Sequence, residues 1–160
     1  NDVITFGLSK LGEAFGETEN KTQELKKIGI AELLKTEKVE FTVLTKEVSK
    51  RVSENNFTYY QPVSENNSFL ILSIKIKNIS NKMLSLDSSG FHLFLNDKQY
   101  APTTLVLNEA MNYENINPGT EITKKVFYDV PDDIIKSNGL VLRTTNNIFS
   151  EIGEIEVNLK

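Results

Sequence analysis

The strongest constraint on this chain is a run of alternation at residues 69–79. Leu70, Leu72, Ile74 and Ile76 fall on one side of an extended backbone, and Lys75 and Lys77 fall on the other. A period of two marks a β-strand with one face toward a core and one toward water. Phe69 and Ile71 sit on the solvent side, which implies cover over the start of that face. The same period returns at Val39, Phe41 and Val43, at Ile122, Val126, Tyr128 and Val130, and at Ile155, Val157 and Leu159. The first of these runs is expected to continue through Val48 and Val52 across a bulge.

Turn chemistry separates the runs. Asn78 to Lys82 is rich in residues that hydrogen-bond their own backbone. Asn96-Asp97-Lys98 reads as a hairpin turn between a strand at 91–95 and Tyr100. In Asn117-Pro118-Gly119, Pro presets φ and Gly accepts a positive φ. Residues 28–34 suit a short edge strand, and residues 140–142 a strand after Gly139. Pro131 followed by Asp132 and Asp133 suits a single helical turn. Residues 53–67 read as a loop, and residues 105–115 as a loop with one helical turn.

About seven strands without intervening helices argue for a sandwich or barrel and against a parallel α/β sheet. The expected fold is therefore all-β, an antiparallel β-sandwich spanning residues 27–160. Residues 1–26 form a separate tether or arm. Leu8, Leu11 and Phe15 there have helical spacing, but Gly7, Gly12 and Gly16 oppose a stable helix. The arm is expected to be flexible or partly helical.

Composition excludes several function classes. An apolar fraction of 39% with 25% charged residues belongs to a folded domain and not to a disordered tail. A net charge of −4 weighs against nucleic acid, which requires a concentrated basic footprint. Lys46, Lys50 and Arg51 read as a solvated face. No stretch approaches the roughly 18–20 apolar residues of a membrane span. There is no Cys for a disulfide or a thiolate site. The chain starts at Asn1 without an initiator Met. A removed signal peptide, a lipid-carrying Cys upstream of Asn1, or simple trimming would each explain that start.

Several segments carry a family resemblance. They are Asp87-Ser88-Ser89-Gly90-Phe91-His92-Leu93, Asn96-Asp97-Lys98-Gln99-Tyr100, Asn117-Pro118-Gly119-Thr120, Lys125-Val126-Phe127-Tyr128-Asp129-Val130-Pro131, and the strand from Leu72 to Asn78. Together they resemble the telokin-like, immunoglobulin-like domain-of-unknown-function family of Gram-positive secreted lipoproteins. That family is similar to the mycobacterial immunoprotective extracellular antigen. The resemblance covers residues 27–160. It implies an immunoglobulin-like topology, an extracellular location or one anchored to the outer face of the cell membrane, and no established activity. The family's motifs set turns and core positions and carry no catalytic residues. The lipid-attachment Cys of such lipoproteins is not in this sequence.

No residue is assigned a catalytic, cofactor-binding or metal-binding role. The single His, His92, lies inside a strand and reads as a hydrogen-bonded or partly exposed side chain. Asp129, Asp132 and Asp133 cluster around Pro131, but no ordered calcium loop is present, so capping and solvent exposure account for them. No phosphate loop, nucleophile elbow or zinc-protease motif appears. Asn20, Asn56, Asn66 and Asn78 begin Asn-x-Ser/Thr sequons, read as chance in an Asn-rich chain.

Phe57, Tyr59 and Tyr60 form the candidate binding surface, since aromatic residues on loops often mark recognition sites. The alternative is that these rings fold over one end of the core. The first expectation for function is a non-enzymatic extracellular or cell-envelope module for an unknown protein or envelope ligand, with no cofactor and no nucleic acid. Contact with a membrane would come only through a lipid anchor. An enzyme with a carboxylate-based or metal-dependent site is the second expectation. A self-associating structural domain, a homodimer through the arm or an edge strand, is the third.

Overall fold

The computed structural model describes residues 26–144 and 154–160. The arm expected at residues 1–26, with Leu8, Leu11 and Phe15, lies outside them apart from Lys26, which begins the first strand. The strands are β1 (Lys26–Gly29), β2 (Leu34–Lys35), β3 (Val39–Ser49), β4 (Val52–Ser53), β5 (Tyr59–Tyr60), β6 (Asn67–Asn78), β7 (Leu84–Asp87), β8 (Phe91–Leu95), β9 (Lys98–Tyr100), β10 (Tyr113–Ile116), β11 (Glu121–Pro131), β12 (Val141–Thr144) and β13 (Ile155–Asn158). One helical turn, α1 (Asp132–Ile135), follows β11.

Two sheets face each other as an immunoglobulin-like β-sandwich. One has the order β11-β6-β3-β2 and the other β1-β13-β12-β8-β9. Two small ladders, β10-β7 and β4-β5, complete the pairing. Every pair is antiparallel except β1 with β13.

The inward residues of both sheets meet as the alternation requires. Phe41, Val43, Leu70, Leu72, Ile74 and Ile76 pack against Phe91, Leu93, Leu142, Ile155 and Val157. Phe41 and Phe91 stack across the gap with centroids 6.4 Å apart. Tyr128 is fully buried, and its hydroxyl donates to the Phe91 carbonyl at 3.1 Å. A polar bond thus crosses between the sheets and satisfies a group that burial would otherwise penalise.

Local sequence explains the irregularities. The pairing of β3 with β6 shifts register between Val43 and Thr45, the bulge expected beyond Val43. Beyond the bulge, Lys46 lies opposite Leu72 but is exposed, because the strand has run past the cover of the opposite sheet. Its ammonium donates to the Leu159 carbonyl. Lys124 lies opposite Ile74 on β11 and reaches the Asn108 carbonyl at 2.9 Å. Gly119 adopts φ +83, and Thr120 N–H donates to the Asn117 carbonyl at 3.0 Å, which completes the expected turn.

Local expectations require correction, beginning with the run from Val39, which ends at Ser49 and leaves Val52 to a separate strand, β4. Residues 28–34 are not one edge strand. The chain pairs with β13 through β1, leaves that sheet, and joins the edge of the other sheet as β2. The switch uses a left-handed backbone at Ala31, φ 69, with Ala31 N–H bonded to the Val43 carbonyl. Residues 105–115 hold a single hydrogen-bonded turn, from the Leu107 carbonyl to Ala110 N–H, and no helix; their last part forms β10 against β7. Strand β7 itself was not expected, because Leu84 and Leu86 are too few to register a period.

Candidate functional site

The loop-like tract at 53–67 turns out to contain half of a small hairpin. Val52 pairs with Tyr60 and Ser53 with Tyr59. This register gives the hairpin two faces, since opposed residues share a side. Val52 and Tyr60 face inward onto Phe69, Ile71, Leu105, Leu107, Ala110 and Phe127. This second hydrophobic cluster is the cover that Phe69 and Ile71 implied on the outer face of β6.

Tyr60 is half-buried, and its hydroxyl accepts the Val106 N–H at 3.2 Å, tying the hairpin to the 101–111 segment. That segment is fixed in turn along β11, where Thr103 N–H donates to Phe127 and Met111 N–H donates to Lys125.

The opposite face points to water. Tyr59 is 48% exposed and Phe57 is 92% exposed. The Arg51 guanidinium lies 4.0 Å from the Tyr59 ring centroid, within cation–π range. The turn that carries Phe57 is held by Asn55, whose side-chain oxygen accepts the N–H groups of Phe57 at 2.7 Å and Thr58 at 2.8 Å. Val63, 87% exposed, and Val106, 77% exposed, belong to the two segments beside the hairpin. Of the three rings singled out from sequence, Phe57 and Tyr59 face solvent and Tyr60 anchors. The alternative reading, in which the rings fold over the core, thus holds for Tyr60 alone.

The basic residues near this end act separately. Lys46, an exposed residue, donates to the Leu159 carbonyl, as described. Lys50 Nζ donates to the Glu65 carbonyl at 3.0 Å, the Asn67 carbonyl at 2.6 Å and Asp132 Oδ2 at 3.0 Å. The Ser68 hydroxyl bonds the other Asp132 oxygen. The Ser68 bond and then Lys50 hold the Asp132 carboxyl below its ordinary value. Asp129 accepts from Val63 N–H at 2.9 Å and from Asn67 Nδ2 at 2.9 Å. The carboxylates of Asp129 and Asp132 thus pin loop 61–67 to the end of β11.

His92 lies half-buried on the outer face of the five-stranded sheet, opposite Arg143 in register. Burial lowers its pKa from 6.5. Arg143 pairs with Glu156 at 2.7 Å and lies 4.7 Å from the Phe94 ring centroid.

At the far end, Asn78 is fully buried, with its amide donating to Lys82 and Ile116 carbonyls and its oxygen accepting from Ser80. Its sequon is closed, whereas Asn56 and Asn66 are exposed. A groove of about 360 Å³ beside it is lined by Glu37, Lys38, Ser80, Lys82 and Met83 among others, with Glu37 its single carboxylate. Hydrolysis by an acid pair would need a second. No group of three or more metal-ligating side chains is assembled among the described residues.

Sequence reasoning missed Arg51 as a partner of Tyr59. The signal was there: in a tight hairpin, Arg51 stands two positions from the residue opposite Tyr59.

The fold defines the chain as an immunoglobulin-like β-sandwich domain. It belongs to the family described as domain of unknown function DUF4352, whose pattern matches residues 28–152. Three solved structures are similar. An uncharacterised β-sandwich protein of Clostridium difficile is 21% identical, with a TM-score of 0.58, covering 86% of this chain and 96% of its own. The secreted protein MPT63 of Mycobacterium tuberculosis is 12% identical, with a TM-score of 0.59, covering 85% of this chain and 97% of its own. A candidate lipoprotein of Bacillus subtilis is 14% identical, with a TM-score of 0.57, covering 79% of this chain and 38% of its own. No curated protein matches the chain by sequence.

Proposed function

We propose that this domain is a non-enzymatic interaction module that works outside the cytoplasm and meets its ligand with the β4–β5 hairpin. The observation that carries the reading is the division of labour within the hairpin. Tyr60 and Val52 root it in a hydrophobic cluster, while Phe57, at 92% exposure, and Tyr59 are held toward solvent. Exposed aromatic residues on a turn whose backbone is held by hydrogen bonds suit recognition, because little backbone entropy remains to be lost on binding. The extracellular part of the reading draws on the likeness to a secreted mycobacterial protein and to a candidate lipoprotein.

The test compares the wild-type domain with a Phe57→Ala/Tyr59→Ala double variant as baits in envelope extract. At least one component retained by the wild type should be lost by the variant, at unchanged melting temperature. An identical set of retained components would remove the hairpin from the proposal.

A further inference from the structure

Resting on that reading, we propose that the hairpin docks a protein whose complementary surface pairs an apolar pocket with a carboxylate. Phe57 fills the pocket and Arg51 meets the carboxylate. Two observations carry the inference, one from charge and one from preorganisation.

Arg51 and Lys50 are adjacent cations in opposite situations. Lys50 spends its three N–H donors on Glu65, Asn67 and Asp132. Among the described residues, the Arg51 guanidinium makes no ion pair and no side-chain hydrogen bond. It lies 4.0 Å from the Tyr59 ring centroid, which steadies it while its N–H donors stay without protein acceptors among the described residues. A steadied guanidinium with open donors suits a carboxylate, which it binds through two parallel hydrogen bonds.

Phe57 supplies the apolar half. Its ring stands almost wholly in water, while its backbone is locked by the two hydrogen bonds to Asn55. A ring exposed on all sides gains most from a partner that surrounds it. Aromatic residues and Arg are the types that dominate protein interfaces, and they do so when grouped and surrounded by residues that exclude water. Val63 and Val106, both exposed, add apolar surface on the two segments beside the hairpin.

Charge disfavours the other classes of partner. A nucleic acid or an anionic lipid surface rewards several unpaired cations together. This hairpin offers one, with the exposed carboxylates of Glu54 and Glu65 nearby.

The experiment selects binders from a random dodecapeptide display library on the immobilised folded domain. Recovered peptides are then titrated against wild type, Phe57→Ala and Arg51→Gln. Both residues are exposed, so melting temperatures should match wild type and report on folding directly. Recovered peptides should carry an aromatic or large aliphatic residue within a few positions of Asp or Glu. Phe57→Ala should weaken them at least about tenfold. Arg51→Gln should weaken them several-fold and flatten the loss of affinity with added salt.

Acid-free peptides, or an unchanged salt dependence in Arg51→Gln, would overturn the carboxylate pairing while a loss with Phe57→Ala still upheld the module reading. Binding insensitive to both changes would overturn both. Recovery of no peptide counts against the inference, and so does binding to phosphatidylglycerol vesicles or soluble glycans that Phe57→Ala abolishes.

Discussion

β6 carries a different hydrophobic core on each of its two faces. Its inward residues, Leu70, Leu72, Ile74 and Ile76, are fully buried against the opposite sheet along most of the strand. On its outer face only Phe69 and Ile71 are covered, and Ser73, Lys75 and Lys77 continue the strand toward water. The inner core is sheet on sheet. The outer one is a short lid of irregular chain, built from the hairpin and the 101–111 segment. Regular strands make a rigid frame, while a lid with few ladder bonds opens at lower free-energy cost. The binding surface proposed for this domain stands on the lid, where sequence can vary without disturbing the frame.

The largest expected effect separates the two cores. Phe41→Ala removes a ring stacked on Phe91 in the inner core and should cost about 3–5 kcal/mol. Ile71→Ala, in the outer cluster, should cost about 2–3 kcal/mol, near the low end for such truncations because the lid can settle into the space. Hydrogen exchange sharpens the contrast. Ile71→Ala should speed exchange at Tyr60 and Val106 while leaving amides of Leu72 and Leu93 protected. Loss of protection everywhere at once would mean that the two cores unfold as one unit.

A matched pair of hydroxyl deletions comes next in size. Tyr128→Phe removes the buried hydroxyl that bonds the Phe91 carbonyl between the sheets and should cost about 1–1.5 kcal/mol, the upper range for the loss of one hydrogen bond. Tyr60→Phe removes a bond to Val106 N–H at a half-buried site, where water can replace it, and should cost less than about 1 kcal/mol. Denaturant midpoints at unchanged slope would measure both. Equal losses would show the lid to be as dry as the inner core.

How much of this was legible beforehand follows the same division. Period-two alternation placed the inner faces of the long strands β3, β6 and β11, including the bulge after Val43, and the closing run Ile155, Val157 and Leu159, but not Leu86 and Ile116 of the short β7 and β10. It also announced, through Phe69 and Ile71, that a cover existed. It could not say what the cover was. Leu105, Leu107 and Ala110 lie in a segment without a repeating period, and Val52 and Tyr60 are single inward residues of two-residue strands. The sheet switch at Ala31 was hidden for another reason. A positive φ usually advertises itself with Gly or Asn, and here the position holds Ala. In the candidate site, composition pointed to Phe57, Tyr59 and Tyr60 together. Only the register of Val52 with Tyr60 separates the anchor from the two exposed rings.

The smallest effect lies on the outer face of the other sheet, which no lid of hairpin and loop makes into a second core among the described residues. His92 there is half-buried, opposite Arg143, and burial lowers its pKa from 6.5. As pH falls below 6.5, the unfolded chain takes up this proton before the folded one does. Stability contributed by His92 is therefore complete above that value and declines as pH drops through the folded pKa. Carboxylates also titrate in acid, so the informative quantity is the difference between wild type and His92→Gln. Between about pH 7 and pH 5, the wild-type melting temperature should fall more than that of the variant. Parallel curves would mean that this face is as well solvated in the folded protein as in the unfolded chain. The contrast with the buried lid on the other sheet would then be total.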